Sequence, residues 1–142
     1  KKLFETTKEL ADMVSDVIPR RFQKPGFNPA TLTFQALRIA VNDEINELGA
    51  LLKETPSLFK QDGRLAIISF HSLEDRMVKH QFRKWENPCV CPTDLPYCIC
   101  GEKPLGRVIT KRPVNASAKE VAKNPRSRSA HLRVFSFSGI TS

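Results

Sequence analysis

The alternation of apolar and polar residues predicts two helices in the first 54 residues. Over residues 6–18, apolar residues recur at the three- and four-residue spacing of one helix face: Leu10, Met13, Val14, Val17 and Ile18. Thr6 and Glu9 have the spacing of a capping box, and Pro19 is expected to end this helix. A longer helix is expected over residues 31–54, closed by Pro56, with an apolar face made of Phe34, Leu37, Val41, Ile45, Leu48 and Leu52.

A short apolar run then predicts a strand. Residues 64–70 follow a turn signal at Gln61-Asp62-Gly63 and are almost continuously apolar. Such a run is typical of a strand buried on both faces, as in a parallel sheet covered by helices. A helix is expected next, over residues 72–85, with Ser72 as its N-cap and Asp75 at the third helical position. Its core residues are expected to be Leu73, Val78, Phe82 and Trp85.

Weaker patterns follow in the last third of the chain. Residues 107–111 could form a strand, and residues 117–122 a short helix capped by Ser117 with Glu120 at its third position. Asn124-Pro125 is expected to end that helix, and residues 131–137 read as a strand. Helices that alternate with strands in this way favour an α/β fold.

Charge is distributed unevenly along the sequence. Lys and Arg number 23 against 15 Asp and Glu, which gives a net charge of +8. Nine basic residues and one acid, Glu120, lie between Lys103 and Arg133, whereas the other residues carry 14 groups of each sign. A basic block of this kind suits a polyanionic partner, most often nucleic acid; the alternative is a solvated face that aids solubility.

Composition excludes several classes of protein. Hydrophobic residues make up 40% and charged residues 27%, the balance of a globular domain. No apolar run approaches the roughly 20 residues of a membrane-spanning helix, so no membrane association is expected. The first residues lack the apolar stretch of a secretory signal, which predicts a cytoplasmic location and reduced thiols.

Four cysteines form two closely spaced pairs in the loop expected over residues 87–104. Each Cys-x-Cys pair is followed by Pro or Gly, and the pairs consist of Cys89, Cys91, Cys98 and Cys100. Four thiolates could surround one tetrahedral ion, with structural zinc the best candidate. Because Cys-x-Cys is a less typical spacing for zinc, reduced loop thiols or disulfides are the alternatives. A catalytic metal is not expected, since four cysteine ligands leave no open coordination position.

The junction between the buried strand and the next helix carries polar residues. Ligands of α/β sheets bind outside the carboxyl ends of strands, and Ser69 and His71 occupy that position. His71 could hydrogen-bond a base or relay a proton. A purely structural role, in which Ser72, Glu74 and Asp75 satisfy the helix N-terminus, is the alternative.

Two further groups could bind phosphate. Arg126 and Arg128 are separated by one small residue in a loop before a strand, a suitable arrangement for holding phosphates. Arg38, near the start of the long helix, could contact an anion or RNA. Surface solubility or pairing with a carboxylate would explain these arginines equally well.

Three stretches together resemble a known family. They are TFQALRI at residues 33–39, SFHSLEDR at residues 69–76 and NPRSRSA at residues 124–130. The combination closely resembles the C-terminal part of the RsmH (MraW) family, S-adenosylmethionine-dependent methyltransferases that modify N4 of a cytidine in small-subunit ribosomal RNA. The resemblance covers nearly the whole chain.

The resemblance implies the distal half of a Rossmann-like class I methyltransferase. Residues 1–27 would be the end of an inserted helical domain, and residues 28–142 the C-terminal part of the methyltransferase core, with the cysteine loop at 87–104 as a variable segment. The family's cofactor site lies in an N-terminal half, with a glycine-rich loop that these residues do not contain. The isolated 142-residue chain is therefore expected to be inactive without that half.

The resemblance also assigns roles to the candidate residues. Ser69 and His71 would lie near the target base, and Arg126, Arg128 and Arg38 would hold RNA. The chain departs from the family pattern at Asn28, where a His is usual, and at Leu32, where a basic residue is usual. Both changes remove potential RNA or proton contacts. The competing hypothesis is a non-enzymatic RNA-binding module whose cysteine loop is clipped by zinc.

Overall fold

The computed structural model describes residues 4–23, 25–92 and 97–138, and the chain divides into two compact units, Lys1–Glu44 and Ile45–Ser142. The first unit contains helix α1 (Thr7–Val17), a 3-10 turn (Arg20–Phe22) and helix α2 (Thr31–Asn42). None of the helices in the described parts of the chain is both long and apolar enough to cross a lipid bilayer. The proposed end of an inserted domain at residue 27 stays a prediction.

Helix α1 has the predicted position and is capped at both ends by side chains. The Thr6 hydroxyl accepts a hydrogen bond from the Glu9 N–H at 3.2 Å. The Glu9 carboxylate accepts from the Glu5 N–H at 3.1 Å, one residue before the position that a capping box requires. At the other end, the Gln23 amide donates to the carbonyls of Ser15 and Ile18, at 3.0 and 2.8 Å. These bonds satisfy carbonyl groups that the end of a helix leaves without partners.

The long helix expected over residues 31–54 is two helices, so that prediction was wrong. Helix α2 ends at Asn42, and helix α3 spans Glu44–Leu58 with Pro56 inside its last turn. Asp43 between them has φ 53°, a left-handed conformation that Asp tolerates better than most residues. The expected apolar face is interrupted accordingly, because Val41 is 81% exposed whereas Leu52 is buried.

The second unit is a four-stranded antiparallel sheet covered by a helix. In chain order, its elements are α3, of which all but Glu44 belongs to this unit, β1 (Arg64–Ser69), α4 (Ser72–Glu86), β2 (Gly106–Val108), β3 (Val114–Asn115), α5 (Ala118–Lys123), a 3-10 helix (Pro125–Ser129) and β4 (His131–Phe137). Strand β4 is central: β1 pairs along one side, and β2 and β3 pair along the other. All of these pairings are antiparallel.

The sheet differs from the parallel one that the sequence favoured. Strand β1 pairs in antiparallel register with β4, from Arg64 opposite Ser136 to Ser69 opposite His131. Its residues alternate between more and less exposed positions, and Ile68 is largely exposed. An apolar run of six residues does not reveal the direction of its partner, which lies more than 60 residues further along the chain.

The core of the second unit lies between α4 and β4. Its buried residues are Leu52, Val78, Phe82, Trp85, Phe135 and Phe137. Phe135 and Phe137 share one face of β4, and their ring centroids are 5.0 Å apart. The prediction was right for Val78, Phe82 and Trp85 and wrong for Leu73, which is about half exposed at the start of α4.

Gly106 allows β2 to lie close to β4. A Cβ atom at this position would collide with the Ser136 carbonyl oxygen and would be 2.9 Å from the Phe137 Cα. Glycine is therefore required where β2 begins. The neighbouring Leu105 is held by two backbone hydrogen bonds, from its N–H to the Trp85 carbonyl at 2.9 Å and from the Ser138 N–H to its carbonyl at 3.1 Å. These contacts fix the downstream end of the cysteine loop.

Candidate functional site

Hydrogen bonds hold the strand-end residues in place where β1 meets α4. Ser69 is 4% exposed, and its hydroxyl donates to the His131 carbonyl at 3.4 Å. His71 is the N-cap of α4: its Nδ1 accepts from the Glu74 N–H at 3.4 Å. The Glu74 carboxylate accepts in return from the Phe70 and His71 N–H groups, at 2.9 and 3.4 Å. The Glu74 carboxylate thus holds the two residues that connect the strand to the helix.

The N-cap was therefore misassigned by one residue. His71 has extended backbone angles of φ −137° and ψ 160°, whereas Ser72 is already the first helical residue. The His71 Nε2 lies 3.2 Å from the second Glu74 carboxylate oxygen. The shift makes Glu74, and not Asp75, the third helical residue and the reciprocal partner of the cap.

Asp75 does not cap the helix as expected; it forms an ion pair with Arg133 on strand β4. Its carboxylate accepts from Arg133 Nε at 2.6 Å and from Arg133 Nη2 at 2.9 Å, a bidentate arrangement. Arg133 is 6% exposed on central strand β4. The Arg133 hydrogen bonds hold the pKa of Asp75 below its usual value of 3.8, against an opposing contribution from burial. The pair joins the first turn of α4 to the sheet.

Arg126 and Arg128 lie on an exposed 3-10 helix that leads into β4. The helix is capped by Asn124, whose side-chain oxygen accepts from the Arg126 N–H at 3.3 Å. Between the two exposed arginines, Ser127 is buried and donates its hydroxyl to the Asn124 carbonyl at 2.7 Å. The segment ends two residues before His131, whose carbonyl accepts from Ser69. The arginine segment and the strand end are thus connected through His131.

Arg38 lies on α2, in the first unit, and is engaged by a carboxylate. Its Nε is 2.9 Å from Glu44 Oε1, and its Nη2 donates to Glu44 Oε2 at 3.1 Å. An anion that binds Arg38 would have to displace Glu44 from this exposed ion pair. Surface ion pairs contribute little free energy, so the displacement would cost little. Its role in RNA binding stays a prediction.

A basic pocket in the second unit was missed by sequence reasoning. It has a volume of about 210 Å³ and is lined by Lys79, Phe82, Arg83, Glu86, Val108, Lys111 and Arg133. Glu86 is occupied there as the acceptor of the Val108 N–H, at 2.8 Å. The spacing of Lys79 and Arg83 by four residues on a helix was a visible signal. The approach of Lys111 was not visible, because it depends on β2 lying beside α4.

The four cysteines come together in space, although their loop contains no described helix or strand. Their sulfur atoms all lie within 4.8 Å of one another, close enough to hold one metal ion. A backbone hydrogen bond from Glu102 lowers the pKa of the Cys100 thiol to about 6, and a hydrogen bond with Cys100 raises that of Cys98 to about 12.

Comparison with known protein families identifies the family of this chain. The model of the MraW methylase family matches residues 1–138, and the chain belongs to that family. The resemblance expected from the three sequence stretches is thereby confirmed.

Three similar curated proteins carry the same name. The chain is 51% identical over 129 residues to the ribosomal RNA small subunit methyltransferase H of Symbiobacterium thermophilum, covering 91% of this chain and 41% of that protein. It is 53% identical over 130 residues to the protein of the same name from Geobacter sp., covering 92% and 42%. The Acetivibrio thermocellus protein is 49% identical over 134 residues, covering 94% and 43%. The chain thus spans about two fifths of the length of the relatives it matches.

Proposed function

We propose that the protein transfers a methyl group from S-adenosylmethionine to N4 of a cytidine in small-subunit ribosomal RNA, and that this chain supplies its RNA-facing distal part. The observation that carries the proposal is the hydrogen-bonded strand end at Ser69 and His71, in a member of the MraW methylase family. Polar side chains held between the carboxyl end of a strand and the start of a helix are suited to contact a substrate.

The cofactor does not fit the residues of this chain. The sequence contains no G-x-G-x-x-G stretch between a strand and a helix, the arrangement that cradles a nucleotide-like cofactor. The cofactor is therefore assigned to the part of the relatives that this chain does not match. An exposed apolar patch beside the strand end, made of Ile68, Phe70 and Leu73, is suited to pack against that part.

The chain's own residues would act by holding the target base in position. An exocyclic amine is a weak nucleophile, so orientation and hydrogen bonds at N4 are the main contributions that a protein can make. The target cytidine has to leave its stack or be presented unpaired. Basic groups around the site would then hold the backbone on either side of the base.

The proposal is tested by a methyl-transfer assay on small-subunit RNA, with N4-methylcytidine measured by nucleoside mass spectrometry. The chain is assayed alone and joined to the upstream part of a relative. We expect product only from the joined protein. Product from neither sample, with RNA binding retained, would replace the enzyme with the RNA-binding module; product from the chain alone would refute the assignment of the cofactor site.

Replacement of His71 separates a role in substrate binding from a role in helix capping. Asn is among the best N-cap residues and places an acceptor oxygen near the position of Nδ1, so His71→Asn keeps the cap and removes the imidazole. If the imidazole contacts the base, methyl transfer by the joined protein falls about 100-fold or more. Unchanged thermal stability confirms that the cap is intact. Full activity in His71→Asn would show that the imidazole serves only as a cap.

The exposed arginine segment is expected to bind RNA phosphate. Replacing Arg126 and Arg128 by Ala should weaken RNA binding and reduce the slope of log K against log salt by about 1.4 to 1.8, because two phosphate contacts are lost. Binding is measured by titration at several salt concentrations. A slope equal to that of the parent chain would refute the role.

The salt dependence of RNA binding is compared with that of two further double variants. Lys53→Ala with Lys60→Ala removes the same charge from exposed positions outside the basic block, and should leave the slope nearly unchanged. Lys79→Ala with Arg83→Ala removes two cations from the basic pocket and should reduce the slope if that pocket also holds phosphate.

A further inference from the structure

The sulfur atoms of the four cysteines are arranged as the ligands of one ion. Cys98 Sγ lies 3.4 Å from Cys89 Sγ, 3.8 Å from Cys91 Sγ and 3.3 Å from Cys100 Sγ. Cys100 Sγ is 3.9 Å from Cys89 Sγ. A zinc ion with four thiolates at about 2.3 Å in tetrahedral geometry separates its sulfur atoms by about 3.8 Å. The four distances lie within about 0.5 Å of that value, and no pair of sulfur atoms is more than 4.8 Å apart.

Disulfide bonding does not account for this arrangement. A disulfide brings two sulfur atoms to about 2.05 Å and excludes a third. Here all four cysteines are free, and Cys98 has three sulfur neighbours at similar distances. Four cysteines that are ligands of one metal ion must converge in this way.

Backbone N–H groups around the four cysteines donate hydrogen bonds that would stabilise thiolate sulfur atoms. The Ile99 N–H donates to Cys91 Sγ at 3.4 Å, and backbone hydrogen bonds from Val90 and Glu102 reach Cys100. Gly101 has φ +71°, a left-handed conformation that lets the chain reverse directly after Cys100. Such N–H contacts to ligand atoms orient metal ligands and offset the charge of a four-thiolate site.

The loop that carries the cysteines has little else to hold its described residues. Its ends are fixed by the Asn87 N–H to the Arg83 carbonyl, at 2.8 Å, and by the Leu105 N–H to the Trp85 carbonyl, at 2.9 Å. Between these anchors, the large apolar residues Val90, Tyr97 and Ile99 are 76%, 73% and 70% exposed. A segment that buries so little apolar surface gains most of its order from a bound ion or a crosslink.

We infer that Cys89, Cys91, Cys98 and Cys100 bind one Zn²⁺ ion as a structural site. The four thiols lose their protons on binding, and the ion closes the loop between α4 and β2. With four protein ligands the coordination shell is complete, so the ion takes no part in methyl transfer. The site is independent of the proposed function, because it rests on the sulfur geometry alone.

The test is direct metal analysis of the 142-residue chain, purified without chelator and in the presence of a thiol reductant. We expect about one zinc ion per chain by plasma mass spectrometry. Replacing zinc with Co²⁺ should produce the intense sulfur-to-cobalt absorption and the visible bands of a tetrahedral four-thiolate site. The cobalt spectrum is recorded on the parent chain, so it does not depend on the folding of a variant.

Variants assign the metal to the cluster. Cys98→Ser should lower zinc affinity about tenfold or more, since it replaces the sulfur with the most neighbours. Tyr97→Ala, an exposed change beside the same ligand, should retain zinc at the parent level. Hydrogen exchange after chelation should rise at residues 88–92 and 97–104 and stay unchanged in β1 and β4.

Three results would overturn the inference. The first is a reduced chain that holds no zinc and acquires no cobalt absorption when Co²⁺ is added. The second is a chain purified with two disulfides among the four cysteines and unable to bind zinc after reduction. The third is zinc that remains bound at the parent level in Cys98→Ser.

Discussion

Arg133→Met is expected to destabilise the second unit by about 3 to 5 kcal/mol. The substitution keeps most of the volume of the buried side chain but leaves the Asp75 carboxylate without its two hydrogen bonds. Removal of one partner of a largely buried pair costs more than the net contribution of the pair, since the Asp75 side chain is only 20% exposed and its charge would be incompletely solvated. Urea denaturation followed by fluorescence measures the loss, because Trp85 is the only tryptophan and lies in the core of this unit.

The double variant Arg133→Met with Asp75→Leu is the matched control. It removes both charges, so its destabilisation should be clearly smaller than that of Arg133→Met alone. If Arg133→Met costs less than about 1 kcal/mol, the pair behaves as a surface ion pair and does not hold α4 against the sheet.

The same pair should give the stability of the chain an acid dependence. The pKa of Asp75 is lowered in the folded state by the Arg133 hydrogen bonds, so the ionised form is favoured by folding. The resulting stability is fully present above the unfolded pKa, near 3.8, and is lost as the pH falls through the lower folded value. Asp75→Asn should therefore flatten the fall in unfolding free energy below about pH 4. If the unfolding free energy of Asp75→Asn falls below about pH 4 as steeply as that of the parent chain, other carboxylates cause the fall.

Phe135→Ala is expected to cost about 3 to 5 kcal/mol of unfolding free energy. Phe135 is fully buried, and its ring lies 5.4 Å from Phe82, 5.3 Å from Trp85 and 5.0 Å from Phe137, measured between centroids. Truncation leaves a cavity at the contact between α4 and β4, where all three neighbours lose packing partners. The loss is measured by the same denaturation experiment.

Phe22→Ala supplies the comparison for an exposed ring. Phe22 is 66% exposed in the first unit, with the Arg21 guanidinium 4.9 Å above its ring. Its removal should cost less than about 1 kcal/mol. Equal effects of Phe22→Ala and Phe135→Ala would mean that the aromatic cluster is not the core on which the sheet depends.

Elements with local signals were predicted correctly from the sequence. The short helix α5 begins after Ser117, whose hydroxyl accepts from the Glu120 N–H as expected, and Asn124-Pro125 ends it. Helix α1 and strand β4 also lie where the apolar pattern placed them. In each case the deciding residues lie within four positions of one another, so no distant contact was needed.

The errors arose where distant contacts or rare backbone conformations decide the structure. Asp75 was expected at a cap because its partner Arg133, which lies 58 residues away, has no local signal. The break at Asp43 depends on one left-handed residue inside a continuous apolar pattern. The cysteines show the same division: their spacing indicated four candidate ligands, but only the structure shows all four sulfur atoms within reach of one ion.

The central position of β4 has a consequence for the order in which the protein assembles. Among the described strands, β4 is the last to be synthesised, yet β1, β2 and β3 all pair with it. Ser69 and its partner His131 are 62 residues apart, a delay of about 3 to 12 seconds at ordinary rates of translation. During this interval β1 and the apolar face of α4 have no sheet to join. The nascent chain therefore emerges with exposed apolar surface, and this unit is expected to depend on protection from chaperones until its last strand leaves the ribosome.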